Sequence, residues 1–312
     1  MRNILTRLEE FLFSPASDQW LAVLRLGLGL QVMLYCLSLR NDWHQMLSGA
    51  GSGFINREFT ESLLTIDGPV IPRLGWVVAL GSQLGLAEKT ILSITWILLF
   101  CAGCGLLLGL FCRTSAITAW FIHLCAAKSG DFLTYGMDNF TTIGLFYLML
   151  CPLPDQYSLD WRLRSWKPRR PELLGFWRRV LQVHLCFIYF FGGLTKCLGV
   201  GWWNGKSMWH ALTSPPFNII APERIIPWKL ALPLLGIAVW VLEIGYPFFI
   251  WPRKTRLIWL VAILGMHIAI GLTMGLYLFS LIMIVLNLAA FAPGIGRKQS
   301  ETINLGPREA VA

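Results

Sequence analysis

The chain is short of charge. Of its 312 residues only 14% are Asp, Glu, Lys or Arg, whereas 55% are hydrophobic and the mean hydropathy is +0.59. A soluble globular domain carries about 25% charged residues, so most of this surface is not made to face water. There is no polar linker to divide the chain in two, no internal repeat and no low-complexity segment. Without repeats, or interrupted helices at matching positions of two halves, a transporter is disfavoured. The eight cysteines lie inside apolar runs or at their ends, which excludes a disulfide framework strung through polar loops. The apolar run Leu21–Leu39 exceeds a signal-peptide core and has no small-residue cleavage site after it, so no cleavable signal is expected. A net charge of +9 invites a nucleic-acid reading, but no basic face gathers it; the expected partner is a lipid bilayer.

What the sequence has in quantity is apolar length. About 20 residues of helix cross roughly 30 Å of hydrocarbon, and such runs occupy 20–39, 91–111, 115–128, 137–152, 176–196, 229–251 and 257–292. The last holds 36 residues without an acidic residue, lysine or arginine, too long for one crossing, and the glycines at 271 and 275 predict a break there. The stretch 69–87, moderately apolar and opened by proline, predicts a helix lying in the interface. The expectation is an all-α polytopic transmembrane bundle of about eight spans over residues 1–292, followed by a polar tail, 293–312. With the N-terminus inside, sixteen Lys and Arg fall in inner segments or at inner span ends and nine in outer ones, Arg25 being counted with neither. That asymmetry places both termini in the cytoplasm of a cell's inner membrane, and the basic segment 161–179 carries most of it. Trp20, Trp177, Trp202, Trp203, Trp228, Trp251 and Trp259 near span ends fit an aromatic belt.

Ionisable residues inside spans are costly, so they are the informative ones. Arg25 in span 1 and Glu243 in span 6 have opposite charge and similar inferred depth, which predicts a structural ion pair. Toward the outer side lie His123, His267, the pair Asp138-Asn139 with Asp131 before it, and Lys196 closing span 5. Bland readings stand beside each: Asp138 suits a helix N-cap, and a lone membrane histidine is more often an interhelical hydrogen-bonding group. His123, His184 and His267 have no ligand spacing, so no metal is expected. The Cys101–Cys104 CxxC, buried mid-span, reads as packing. Lys196 carries more weight. Tyr189, Gly193 and Lys196 share one helical stripe, Gly192 and Gly193 admit a close neighbour, and Trp202-Trp203 follow. An amine held among aromatics is a setting for a general base; the plain alternative is an interfacial anchor.

Several stretches together resemble the HTTM family, the membrane domain shared with vitamin K-dependent gamma-carboxylases. They are Phe13-Ser14-Pro15 with Leu24-Arg25-Leu26-Gly27, Leu108 through Ala116, and Tyr157-Ser158-Leu159-Asp160. Phe190 through Lys196 with Trp202-Trp203-Asn204-Gly205, then Glu243, and His267 through Leu281 complete the series, whose order covers residues 11–292. The resemblance implies that Lys196 matches the lysine that deprotonates vitamin K hydroquinone, with His123, Asp138, Asn139, Tyr189, Trp202, Trp203 and His267 as candidate binding residues. It also implies a reduced, vitamin K-like quinone and lyase chemistry. Where the carboxylases carry a histidine near the start of span 4, this chain has Asp138-Asn139. A second function stays open beside the enzyme: a non-catalytic membrane partner in maturing or exporting a secreted peptide, as small bacterial members of the family resemble.

Overall fold

A computed structural model describes residues 4–49, 56–130, 134–163, 171–217 and 219–292. Asp131, residues 164–170 of the basic segment and the polar tail lie outside these. The described residues hold sixteen α-helices: α1 (Ile4–Leu12), α2 (Gln19–Ser38), α3 (Trp43–Leu47), α4 (Arg57–Asp67), α5 (Leu74–Gln83), α6 (Glu88–Leu108), α7 (Cys112–Ser129), α8 (Gly136–Leu150), α9 (Leu159–Leu163), α10 (Pro171–Leu198), α11 (Val200–Trp203), α12 (Lys206–Thr213), α13 (Pro222–Ile225), α14 (Leu232–Phe249), α15 (Arg253–Met274) and α16 (Tyr277–Phe291). Five of them, α2, α6, α10, α14 and α15, are long and apolar enough to cross a membrane, the pattern of a multi-pass membrane protein. The long final run divides as its glycines predict: α15 stops at Met274, where Gly275 takes the left-handed conformation (φ 71°) that ends a helix at little cost. Within the stretch 69–87 the structure has the shorter helix α5.

α2 is the hub. Trp20, Leu21, Leu24, Leu28 and Val32 have no exposed surface, and α2 packs against α6, α8 and α16. A second group, α10 with α14 and α15, joins the first through α16, which touches α2, α8, α10 and α15. Trp20 therefore belongs to the core and not to an aromatic belt.

One end of the bundle is organised by Arg25, which is fully buried. Its partner is Asp155, not Glu243. Nε and Nη2 meet the two carboxylate oxygens of Asp155 at 2.5 and 3.2 Å, and Nη1 donates to the carbonyls of Leu106 and Leu107 at 2.6 and 3.3 Å. Those carbonyls belong to the last turn of α6, which lacks intrahelical donors, so Arg25 caps α6 while pairing with the loop after α8. The short helix that follows this loop, α9, caps α7, because Asp160 Oδ2 accepts from Cys112 N at 2.7 Å, and Asp160 N donates to Gly109 O at 2.8 Å. At the opposite end, Arg57 on α4 bonds Glu61 at 3.3 Å and Glu88 at 2.9 Å. Glu61 in turn accepts from Ser129 Oγ at 2.5 Å and Gly75 N at 2.9 Å, pinning α4 and α5 to α6 and α7.

Removing one member of a buried pair strands a charge and costs about 3 kcal/mol or more, whereas replacing both with apolar residues costs far less. Arg25→Met alone should therefore lower the thermal midpoint of the detergent-purified protein more than Arg25→Met with Asp155→Leu. Equal midpoints for the single and double variants would show that the two groups do not depend on one another.

Candidate functional site

Near its far end α10 reads Phe190-Phe191-Gly192-Gly193-Leu194-Thr195-Lys196. Gly193 is where α14 comes closest: a Cβ there would stand 2.8 Å from the backbone nitrogen of Ile244 and 2.9 Å from Glu243 Cβ. Any larger residue would push the helices apart. The crossing sets Lys196 beside Glu243, with Nζ 2.7 Å from Oε2. The amine also reaches Gly192 O at 3.4 Å and lies 5.5 Å from the ring centre of Trp202. Lys196 is 25% exposed at its side chain and Glu243 10%, so the pair sits at the edge of the bundle but is largely withdrawn from solvent. Glu243 thus pairs with the lysine that the sequence singles out, not with Arg25.

Two turns along α10 from Lys196, about 10 Å away, a closed polar chain crosses the apolar core. Tyr189 Oη lies 2.8 Å from His267 Nε2 on α15 and accepts from Asn287 Nδ2 on α16 at 2.7 Å. Asn287 Oδ1 accepts from Tyr246 Oη on α14 at 2.7 Å. Four helices contribute one residue each, and the two tyrosine rings lie 4.3 Å apart between centroids. The network also fixes a tautomer. With the amide N–H pointing at Tyr189, the phenol proton goes to His267 Nε2, leaving the proton of the neutral imidazole on Nδ1. His267 Nδ1 is buried with no partner among the described residues, making it the open end of the chain. Ser280 Oγ donates to the His267 carbonyl at 2.6 Å and holds α15 against α16.

The predicted binding residues separate into two places. Tyr189, Trp202 and His267 gather on the Lys196 side. Trp203 stands next to them, its indole N–H on Cys197 O at 2.7 Å and its ring 4.9 Å from that of Trp240. His123 and Asp138 lie elsewhere, around α7 and α8. His123 Nδ1 is 3.0 Å from Thr142 Oγ1 and its ring 4.8 Å from that of Tyr35. Asp138 is not the N-cap that the sequence suggests: Tyr135 holds that position, and Asp138, the third residue of α8, accepts from Tyr135 N at 3.1 Å. Asp138 and Tyr35 border a cavity of about 150 Å³ together with Trp43, Tyr135 and Leu278. Asn139 is exposed and belongs to neither group. His184, likewise separate, bonds Tyr147 Oη at 2.7 Å. Among the described residues no three His, Cys, Asp or Glu side chains gather as a metal site would require.

Asn287, Tyr246 and Asp155 escape a search for charged residues in spans. For Asn287 a signal existed: with Ser280 it shares one face of an otherwise apolar helix, seven residues apart. Comparison with protein-family models, curated proteins and solved structures gives no match.

Tyr189→Phe removes the oxygen that serves both His267 and Asn287 and leaves two buried polar groups unsatisfied. A destabilisation of about 1–3 kcal/mol is expected, read as a lower melting midpoint in detergent, whereas Tyr135→Phe, outside this chain, should change it less. An unshifted midpoint for Tyr189→Phe would mean the network is not formed.

Proposed function

We propose that this chain is an eight-span protein of the cytoplasmic membrane that abstracts a proton from the phenolic O–H of a reduced quinone, with Lys196 as the base. The reading draws on the resemblance to the gamma-carboxylase membrane domain, and one observation carries it: the 2.7 Å contact between Lys196 and Glu243. α7, α8 and α16 complete the spans beside the five long helices, and the Lys/Arg asymmetry puts both termini inside.

An ammonium–carboxylate pair at this distance can hold its shared proton on either side. With the proton on nitrogen the pair is a zwitterion; with the proton on Glu243 it is a neutral amine beside a carboxylic acid. Both states have zero net charge, so moving the proton avoids the desolvation cost of creating a lone ion away from water. The neutral amine can then take a proton from an acid placed against it, and the ammonium that forms is balanced by the substrate's oxyanion while Glu243 keeps the proton it accepted. A quinol fits the surroundings as a flat ring: Trp202 lies against the amine, and Trp203 with Trp240 extends the aromatic surface. The substrate supplies an acidic O–H and, once deprotonated, the counter-charge; the chain supplies the base, the carboxylate that takes up the amine's own proton, and the aromatic walls. An arginine in place of Lys196 keeps the charge and reaches Glu243, but its guanidinium does not give up a proton.

Lys196→Arg should therefore keep the fold while abolishing chemistry. The assay is dioxygen uptake by purified protein supplied with vitamin K hydroquinone: wild type should accelerate it, and Lys196→Arg should cut the acceleration about 100-fold or more. Lys206→Arg, exposed on α12, should match wild type. Uptake undiminished in Lys196→Arg would make the pair a clamp between α10 and α14 and favour a non-catalytic partner of a secreted peptide. The orientation has its own test. A single cysteine at Tyr157, exposed beside the Arg25 end, should react with a membrane-impermeant maleimide only after cells are opened; labelling of intact cells would invert the topology.

A further inference from the structure

Away from the Lys196 pair, at the Arg25 end of the bundle, two arginines converge on one tryptophan with no acid to balance them. Arg179 of α10 stacks its guanidinium 4.3 Å from the ring centre of Phe11 and 5.1 Å from that of Trp251. Its hydrogen bonds all end on neutral acceptors: Phe11 O at 3.1 Å, Gln182 Oε1 at 2.9 Å and Ser14 Oγ at 3.0 Å. Arg256, in the first turn of α15, donates to Ile250 O at 3.2 Å and Trp251 O at 2.7 Å. Neither has a carboxylate partner among the described residues. A guanidinium has five N–H donors, so both keep donors beyond the bonds that position them. Arg253 and Lys254 are exposed on the same turn and add to the positive potential.

Trp251 also borders an apolar groove of about 310 Å³ between α10 and α14, with Val183, Phe187, Phe190, Pro247 and Phe248 along it. On α10 the residues 179, 183, 187 and 190 follow one stripe at four-, four- and three-residue steps. The groove runs along the helix for about 10 Å, from Val183 to Phe190, and its Trp251 end lies beside the Arg179 guanidinium, 5.1 Å from the ring centre. Phe187 and Phe248 have more than half their surface exposed.

We infer that this is a binding site for an anionic phospholipid of the leaflet at the Arg25 end, its phosphate held by Arg179 and Arg256 and one acyl chain lying in the α10–α14 groove. Free phosphate would use the arginines and leave the groove empty. A zwitterionic lipid would use the groove but bring its own cation to a site already positive. Arginine suits the phosphate because its planar fork can donate two parallel bonds to the oxygens, and basic pockets between membrane helices recognise anionic headgroups in this way. The proposal does not depend on the chemistry at Lys196.

The test uses the whole purified chain in delipidated detergent micelles, with bound lipid counted by native mass spectrometry. Phosphatidylglycerol should bind and raise the melting midpoint; phosphatidylcholine with the same acyl chains, and inorganic phosphate, should do neither. Arg256→Gln should weaken phosphatidylglycerol binding roughly fivefold, as expected for one surface-facing arginine near an anionic headgroup, while Arg162→Gln, exposed at the same end, should leave it unchanged. Val183→Trp, which fills the groove without removing an arginine, should weaken it as well. If Arg256→Gln does not fold, the wild-type comparison decides by itself. Equal binding of the two lipids would overturn the proposal. So would phosphate stabilising the protein as much as the anionic lipid, or wild-type affinity in both Arg256→Gln and Val183→Trp.

Discussion

The buried Arg25–Asp155 pair is the constraint from which the bundle's geometry follows. A guanidinium without solvent exposure loses several kcal/mol of hydration, and only a full set of partners offsets that. Four hydrogen bonds supply it, two from the carboxylate of Asp155 and two from the end of α6. The carbonyls at a helix C-terminus carry the negative end of its dipole, so the charge is met twice. Because Asp155 lies in the loop after α8, a single residue ties together the first half of α2, the end of α6 and the exit of α8. Asp18 extends the tie, accepting from Gln156 N at 2.7 Å. Once that loop is fixed, Asp160 is placed to cap α7. Three motifs that look unrelated along the chain, around Arg25, Gly109 and Ser158, meet in this one knot.

Much of the architecture was legible because apolar length and glycine position are local properties. The broken final run and the short helix within 69–87 both follow from residues within a few turns of one another. The ion pairing was not legible, and the reason is physical. Matching Arg25 to Glu243 by depth fixes height along a helix but not lateral position. α2 and α14 are of similar length, 20 and 18 residues, but α2 packs against α6, α8 and α16 whereas α14 packs against α10 and α15, so matched depth does not bring their side chains together. Glu243 lies at the level of Gly193, close to the far end of α10, where Lys196 is the cation within reach. Asp155 was overlooked as an ordinary loop residue, although a loop that folds back into the bundle is as dry as a span. The histidines split for a related reason: the sequence places His123 and His267 at similar levels of their spans, but their helices, α7 and α15, belong to different halves of the bundle.

The corrected pairing changes what Lys196 can do. A lysine at the interface with its amine among headgroups would be a solvated point charge and an anchor. Drawn back onto Glu243 and under Trp202, it becomes one half of a group with two protonation arrangements of equal net charge. The same crossing that permits this, the bare Gly193 against the Ile244 backbone, also brings Tyr189 over Tyr246 about one turn away. Packing and chemistry here have one cause: a larger side chain at 193 would separate the ion pair and the tyrosine stack together.

The two ends of α10 and α14 are therefore unlike in kind. At one end a carboxylate answers the cation, and the net charge of the pair is zero. At the other, Arg179 and Arg256 are held by carbonyls and aromatic faces, which orient a guanidinium without neutralising it. Neutral acceptors can do this only where the remaining field is met from outside the chain, by water, counter-ions or lipid phosphates. In a helix pair whose flanks are as exposed and apolar as Phe187 and Phe248, the nearest such charge is the headgroup layer. An arrangement with uncompensated cations at one end and a balanced pair at the other also orients the helices relative to the membrane. Inverting them would carry Arg179 and Arg256 across the hydrocarbon, at a cost of about 2.5–3.5 kcal/mol for each arginine at its centre.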